Sequence, residues 1–266
     1  MKSKIGLFSF VYLWFLALIA LPLTGIAVGA FRKGAMEFFH EFVQPGALFG
    51  LKLTFEITAC AVAINTVFGV LIALQIAGKN VRGWRVLNVI VDLPFAVSPV
   101  IAGLALILVY GPNTLIGGFL QNHSMKLMFA MPGMVMATLF VTLPFVVREL
   151  VPVLREMGNG EQEAAMTLGA STWRVFWRIT LPQMKWSLLY GAMLTVSRAL
   201  GEFGAVLVVS GSVVLLTQSA TLYVYQSTVN GDMQAAYTVS LVLAATSFLI
   251  LCLLEGIKRR REVAHS

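Results

Sequence analysis

The sequence has little charge for its length. Only 12% of its 266 residues are charged, whereas 58% are hydrophobic. A soluble domain carries about twice this fraction of charged residues. Because the polar residues are too few to cover a water-soluble globule, the composition excludes a cytosolic or secreted enzyme. It predicts a membrane protein.

Cysteine and histidine are also scarce. The two cysteines, Cys60 and Cys252, each lie within an apolar run, and we interpret them as small buried hydrophobic residues, not as a disulfide. The three histidines, His40, His123 and His265, are far apart and show no metal-ligand spacing. We therefore predict no metal site in this chain.

Long apolar runs account for most of the chain. A membrane-spanning helix needs about 20 mostly apolar residues, and runs of this kind fall near residues 7–31, 48–77, 86–110, 127–147, 186–209 and 235–257. They are far too long for the short alternating strands of a membrane barrel. The sequence therefore predicts an all-α polytopic membrane protein with about six transmembrane helices.

The basic residues lie in short clusters between these runs. This pattern indicates membrane topology, and the formal charge of +7 is not evidence of nucleic-acid binding. With both termini in the cytoplasm, the outer segments contain only Arg32, Lys33 and Lys126, while Lys52 lies near an outer helix end. The inner segments contain Lys2, Lys4, Lys79, Arg82, Arg85, Arg148, Arg155, Arg174, Arg178, Lys185 and the basic residues 258–261. The positive-inside rule selects this orientation.

The first run has an alternative interpretation. Lys2 and Lys4 precede it, and Val28-Gly29-Ala30 near its end resembles a signal-peptidase site. The apolar core of a signal peptide is roughly 7–15 residues long, however, and this run is longer. We therefore predict an uncleaved transmembrane helix.

Residues 148–185 form the longest predicted cytoplasmic segment, and we expect two short helices in it. Asn159 with Gln162 resembles a capping box that begins the first helix, and Gly169 permits the left-handed turn that ends it. Ser171 or Thr172 can cap the second helix, which we expect to end before Pro182. Its aromatic residues suit either anchoring at the lipid headgroups or docking of a partner. They are Trp173, Phe176 and Trp177.

The segment 163–182 reads EAAMTLGASTWRVFWRITLP. It resembles the cytoplasmic signature of the transmembrane subunits of bacterial ATP-binding-cassette importers: E-A-A, three residues, Gly, nine residues, then I-x-L-P. The matching positions are Glu163, Ala164, Ala165, Gly169, Ile179, Leu181 and Pro182. The resemblance implies that these residues couple the chain to an ATPase. Ala164 and Ala165 allow close approach of a partner, and Glu163 lies where the helix dipole favours an acid.

The chain lacks a nucleotide-binding loop of its own. The pair Gly78-Lys79 is followed by Asn80 and lacks the preceding glycine of the G-x-x-x-x-G-K-[ST] motif. We therefore expect no cofactor in this chain. ATP and Mg are expected on a partner ATPase subunit, and the chain itself is expected to be a transport component without catalytic activity.

Three further stretches indicate which group of importers the chain resembles. Residues 92–104, 142–154 and 198–212 are similar to sulfate/thiosulfate permeases, most closely to their W-type subunit. The segment Leu215-Leu216-Thr217-Gln218 departs from that pattern, and molybdate and tungstate permeases share the GEFGA element of residues 201–205.

This resemblance carries expectations about architecture and partners. It implies a type I importer permease fold in a bacterial inner membrane, with residues 1–46 as a first helix and outer loop, 47–257 as a core permease domain of five transmembrane helices and 258–266 as a basic cytoplasmic tail. The implied partners are an ATPase dimer, a homologous T-type permease, an extracytoplasmic sulfate-binding protein and the lipid bilayer. An ion-coupled secondary transporter or a passive channel is the alternative from a different class.

Four charged residues fall within the apolar runs: Arg198, Glu202, Asp92 and Glu56. Arg198 and Glu202 are four residues apart and so share one helix face. Such charges are costly in a membrane and mark a functional or paired site. Arg198 either pairs with one of the three acids to hold helices in register, or it faces the translocation path, where its guanidinium suits an oxyanion.

Helix-breaking residues also occur within the third and fifth runs. They are Pro94, Pro99, Gly103, Gly191, Gly201 and Gly204. Backbone amides freed near Ser98 are candidates for contact with a passing anion. The alternative is close helix packing, for which glycine is common in membranes.

Overall fold

The computed structural model describes residues 10–78 and 83–265, and within these ranges every regular element is a helix. Lys2, Lys4, Lys79 and Arg82, which contribute to the predicted orientation, lie outside the described residues. So do residues 1–9 of the predicted first domain and Ser266 of the predicted tail.

The N-terminal half begins with α1 (Phe10–Phe31), which contains a π-helical turn over Leu16–Ala20. The short helix α2 (Ala35–Phe42) leads into α3 (Pro45–Ala77), whose first turn contains the proline. Next come α4 (Trp84–Ala96), α5 (Pro99–Tyr110) and α6 (Leu115–Asn122).

The C-terminal half contains α7 (Met131–Met157), α8 (Gly160–Thr167) and α9 (Thr172–Leu200). These are followed by α10 (Gly204–Ser210), α11 (Ala220–Val229) and α12 (Met233–His265). The backbone of α12 thus continues as a helix through most of the predicted basic tail.

Four helices are long and apolar enough to cross a membrane: α1, α3, α7 and the Met233–Leu253 part of α12. Two further runs qualify only as bent pairs, α4 with α5 at 114° and α9 with α10 at 60°. The all-α prediction is confirmed, and each of the six predicted runs corresponds to one of these units. The third and fifth runs are not single straight helices, because the chain breaks at Val97-Ser98 and at Gly201–Phe203.

The core lies around α7, which packs against α3 and α9. One cluster joins α3, α7 and α10 through residues such as Ile57, Met134 and Val209. A second joins α3, α4, α7 and α9 through residues such as Ile76, Leu150 and Met184. Because α7 contributes to both clusters, the two bent pairs, α4 with α5 and α9 with α10, both pack against it.

Two predictions about the ends and faces of helices are wrong. The fourth run continues as helix to Met157, so Arg148 lies within α7 and not in a loop that begins at residue 148. Cys60 and Cys252 are both free and exposed on their helices. An apolar run is uniformly hydrophobic, so its sequence does not distinguish a face that packs on protein from one that faces lipid or a partner.

Helix α2 contains a cluster of one histidine and two acids that the spacing of the histidines did not indicate. Glu37, His40 and Glu41 place their ligand atoms within 4.8 Å of one another. His40 is exposed and the two acids are half-buried.

Candidate functional site

The helix α8 contains the E-A-A part of the motif and projects from the bundle. None of its residues is buried, and Glu163 and Ala164 are exposed. Its first turn contains Glu161 and Glu163, where the helix dipole favours acidic side chains. A helix of eight residues is only marginally stable by itself in water. The described part of the chain leaves the surface of α8 accessible.

Gly169 ends α8 as predicted, in the left-handed region at φ +85°. The amide of Ala170 donates to the carbonyl of Ala165, and that of Gly169 donates to Met166. These two bonds are those of a Schellman motif, which requires a residue with positive φ at this position. The glycine thus determines the turn between the two helices of the segment.

The predicted caps of the segment have different outcomes. Ser171 caps α9, since its Oγ accepts from the amide of Arg174 at 3.4 Å. The capping box predicted at Asn159 is wrong, because the Asn159 side chain accepts no capping hydrogen bond. Its φ of −110° and ψ of −2° differ from the extended conformation of a side-chain cap.

The second helix of the segment does not end before Pro182, contrary to the prediction. The chain passes from Thr172–Val175 through a π-helical turn, Phe176–Thr180, into the remainder of α9, with Pro182 in the first turn after the π segment. A π turn widens the helix and shifts its hydrogen bonds, and the missing N–H of Pro182 is accommodated there. The C-terminal half of the motif and the fifth apolar run therefore belong to one continuous helix.

The motif is fixed to the bundle at its C-terminal end. Leu181 and Phe176 pack against the second core cluster, and Ile179 is half-buried. Trp173 and Trp177 are 70% and 50% exposed. The side chain of Gln183 donates to Glu161 Oε2 at 2.6 Å, which joins α8 to α9 just after the π-helical turn.

Glu202 lies in the break between α9 and α10 and is 3% exposed. Its Oε1 accepts from the amide of Ala205 at 2.9 Å, and its backbone carbonyl accepts from Thr221 Oγ1 at 2.9 Å. The carboxylate thus satisfies one of the free amides at the start of α10. The carbonyl joins the same break to α11.

Arg198 lies beside Glu202, with Nη1 2.8 Å from Oε2. The contact is an ion pair and lacks the alignment of a hydrogen bond to Oε2. Of the three acids considered as partners, only Glu202 occupies this position within the described residues; Asp92 pairs with Arg148 and Glu56 with Lys52. The Arg198 side chain is 33% exposed, whereas that of Glu202 is 1% exposed. The arginine is thus partly accessible, whereas the carboxylate with which it pairs is enclosed.

Close packing accounts for several of the glycines in the broken runs. A Cβ on Gly103 would lie 2.8 Å from the carbonyl oxygen of Ala205, and one on Gly191 would lie 3.1 Å from Cα of Val146. Gly204 on α10 faces α5 as Gly103 on α5 faces α10, and a Cβ on Gly204 would lie 3.1 Å from Cβ of Pro99. The contact of α5 with α10 is therefore made backbone to backbone.

Replacing Gly103 by alanine is expected to destabilise the protein by about 1–3 kcal/mol, because the added methyl group overpacks a backbone contact. The measurement is thermal unfolding of the purified protein in one detergent. Gly25→Ala is the matched control, since a Cβ added to Gly25 would have no neighbouring atom within 4 Å. Equal melting temperatures for the two variants would contradict the close packing.

Asp92 joins α4 to α7 through Arg148. Arg148 Nε donates to Asp92 Oδ1 at 2.7 Å, its Nη2 contacts Asp92 Oδ2, and its Nη1 donates to Asn88 at 3.0 Å. This bidentate arrangement is typical of arginine with a carboxylate. Sequence reasoning missed it because it placed Arg148 in a loop. The signal was the spacing of Asn88 and Asp92, which puts both on one face of α4.

Asp92→Ala is expected to destabilise the protein by about 1 kcal/mol, a value reduced by the partial exposure of both side chains. The double variant Asp92→Leu/Arg148→Met is expected to be more stable than Asp92→Leu or Arg148→Met alone, because it leaves no unpaired charge. Thermal unfolding of the unchanged protein, these two single variants and the double variant gives the coupling energy. Additive effects would mean that the two residues do not interact.

Ser98 lies at the sharp bend between α4 and α5. It is the N-cap residue of α5, its side chain makes no capping bond, and its carbonyl accepts from Ala102. The side chain is exposed. The bend therefore presents the start of α5 at an open surface. Glu202 lies in the other break, and Arg198 lies in the last turn of α9 before it.

The model of the family described as "Binding-protein-dependent transport system inner membrane component" matches residues 65–263. The chain belongs to this family. The matched region includes residues 163–182, which we call the coupling segment after their predicted role, both bent helix pairs and most of α12. Membership of this transport family together with the apolar helices shows a multi-pass membrane protein that acts as a transport component.

Named relatives of this transport family are similar over most of the chain. The sulfate transport system permease protein CysW of Synechococcus elongatus is 44% identical over 236 residues, which are 89% of this chain and 82% of the relative. CysW of Escherichia coli is 44% identical over 245 residues, 92% and 84% of the two chains. CysT of Escherichia coli is 31% identical over 251 residues, 93% and 91% of the two chains.

Solved structures show the same fold at low sequence identity. A bacterial alginate ATP-binding-cassette transporter, in complex with a periplasmic protein that binds an alginate pentasaccharide, contains a chain with a TM-score of 0.78 and 18% identity. The match covers 97% of this chain and 96% of that one. The MetNI methionine transporter in an inward-facing conformation gives a TM-score of 0.59 at 20% identity, covering 81% and 94%. The chain therefore has the fold of a type I importer permease.

Proposed function

We propose that this chain is the W-type membrane subunit of an ATP-binding-cassette importer that carries sulfate or thiosulfate. The observation that carries the proposal is the 44% identity to the CysW sulfate permease of Escherichia coli over 92% of the chain. The chain performs no covalent chemistry itself. Hydrolysis of ATP, with Mg, takes place on a separate ATPase dimer.

The coupling segment is the point at which the ATPase acts. Helix α8 docks in a cleft of the ATPase, with Glu163, Ala164 and Ala165 at the contact. Closure of the ATPase dimer on ATP moves α8, and the bond from Gln183 to Glu161 together with the continuous helix α9 passes that movement to the bundle. The bundle then alternates between outward and inward access.

The second half of the pathway comes from a T-type permease, as the 31% identity between this chain and CysT supports. An extracytoplasmic sulfate-binding protein delivers the ligand, in keeping with the description of the family. In this arrangement α8 and both termini lie in the cytoplasm. Arg198, in the broken fifth run, faces the passing anion with its exposed side.

Uptake of labelled sulfate tests the proposal. The chain is expressed with its three partner subunits in cells that lack their own sulfate permease, with thiosulfate and molybdate as competitors. We expect uptake that requires an active ATPase and is blocked by thiosulfate. Uptake of molybdate but not sulfate would reassign the substrate. Uptake abolished by a protonophore while ATP is maintained would indicate a secondary transporter instead.

A further inference from the structure

A pocket with three charged residues in its lining lies where α1 meets α12. Its volume is about 470 Å³, within the roughly 300–1,000 Å³ typical of small-molecule sites. Its lining includes Arg32, Lys33 and Asp232. The two apolar spans that flank it are Phe10–Phe31 and Met233–Leu253. All three charged residues therefore lie directly beyond the ends of the spans, at the level of the lipid headgroups.

The charges of the pocket lack ion-pair partners among the described residues. Within residues 10–78 and 83–265, neither Arg32 nor Lys33 has a carboxylate within 4.0 Å, and Asp232 has no cation within that distance. Asp232 Oδ1 accepts from the amide of Ala235, as an N-cap does. The pocket thus contains two cations and one anion that are not paired with one another, a pattern complementary to a zwitterion.

The walls of the pocket are held together by tight contacts. Gln234 is buried, and its Nε2 donates to the carbonyl of Ala30 at 2.6 Å. A Cβ on Gly29 would lie 2.6 Å from the ring of Tyr237, so the two helices touch at the base of the site. These contacts therefore fix the positions of the two helix ends that carry the charged residues.

We propose that this pocket binds the headgroup of a phosphatidylethanolamine lipid. The phosphodiester lies against Arg32 and Lys33, and the ammonium lies against Asp232. The phosphodiester is a compact anion, which a guanidinium and an ammonium group bind through charge-assisted hydrogen bonds. The acyl chains continue along the exposed apolar side chains of Val28 and Phe31.

A photoreactive phosphatidylethanolamine tests the proposal in the assembled transporter reconstituted in lipid nanodiscs. We expect cross-links in residues 28–34 and 229–238, read by mass spectrometry. Arg32→Gln/Lys33→Gln should reduce them on the order of fivefold or more, whereas Lys126→Gln, which removes a cation from another surface, should leave them unchanged. Asp232→Asn keeps the N-cap oxygen and should remove the preference for phosphatidylethanolamine over phosphatidylglycerol.

Four outcomes would overturn the proposal. Cross-linking that the double variant does not reduce would remove Arg32 and Lys33 from the site. If the preference for phosphatidylethanolamine over phosphatidylglycerol survived Asp232→Asn, Asp232 would not be the residue that contacts the ammonium group. Competition by millimolar inorganic phosphate would identify a site for a free anion. Protection by the extracytoplasmic binding protein in the same nanodiscs would identify a protein interface in place of a lipid site.

Discussion

The double variant Arg198→Gln/Glu202→Gln is expected to remain unable to take up sulfate, although it contains no unpaired charge. If Arg198 served only to neutralise Glu202, removal of both charges would restore transport. Under the proposed function, however, the partly exposed Arg198 side chain contacts the anion, and this contact would still be missing in the double variant. Loss of one charge-assisted contact corresponds to about a 10–100-fold loss of uptake.

The two single variants separate folding from transport. Arg198→Gln leaves the Glu202 carboxylate buried without its cation, so we expect lower thermal stability and no uptake. Glu202→Gln keeps an oxygen for the amide of Ala205 and should be inserted normally. Uptake of labelled sulfate and the amount of assembled complex are measured for all three proteins. Recovery of uptake in the double variant would show that the pair is purely structural.

Glu163→Lys is expected to uncouple hydrolysis of ATP from transport. The substitution places a cation in the first turn of α8, where the helix dipole opposes it, and at the surface proposed to contact the ATPase. We expect uptake to fall about tenfold or more, corresponding to the loss of one charged contact. Because α8 has no buried residues, the stability of the chain should change by no more than about 0.5 kcal/mol.

ATPase activity and sulfate uptake are measured together in proteoliposomes, along with copurification of the ATPase. Glu156→Lys is the matched control, since it reverses an exposed acid near the end of α7 that lies outside the motif. Normal uptake by Glu163→Lys with normal copurification would exclude this residue from coupling. An equal loss in both variants would indicate a general effect of charge on this face.

Local signals in the sequence determined the helical class, the six apolar units and the turn at Gly169. Long apolar runs have only one stable form across a bilayer, because every backbone group must be satisfied within the segment. The turn depends on a conformation that glycine adopts without strain. The coupling motif could be found for a similar reason, since its spacing lies within 20 residues and needs no knowledge of distant contacts.

Only the tertiary structure decided which charges meet and which faces are buried. The pairing of Arg148 with Asp92 spans 56 positions in the chain, and the helix containing Arg148 extends past the point where its hydropathy falls. The exposure of Cys60 and Cys252 could not be predicted from the sequence, because an apolar residue suits lipid and protein surroundings equally well. The close contact between α5 and α10 is likewise a property of the tertiary structure, since a Cβ on Gly103 would lie 2.8 Å from the carbonyl oxygen of Ala205.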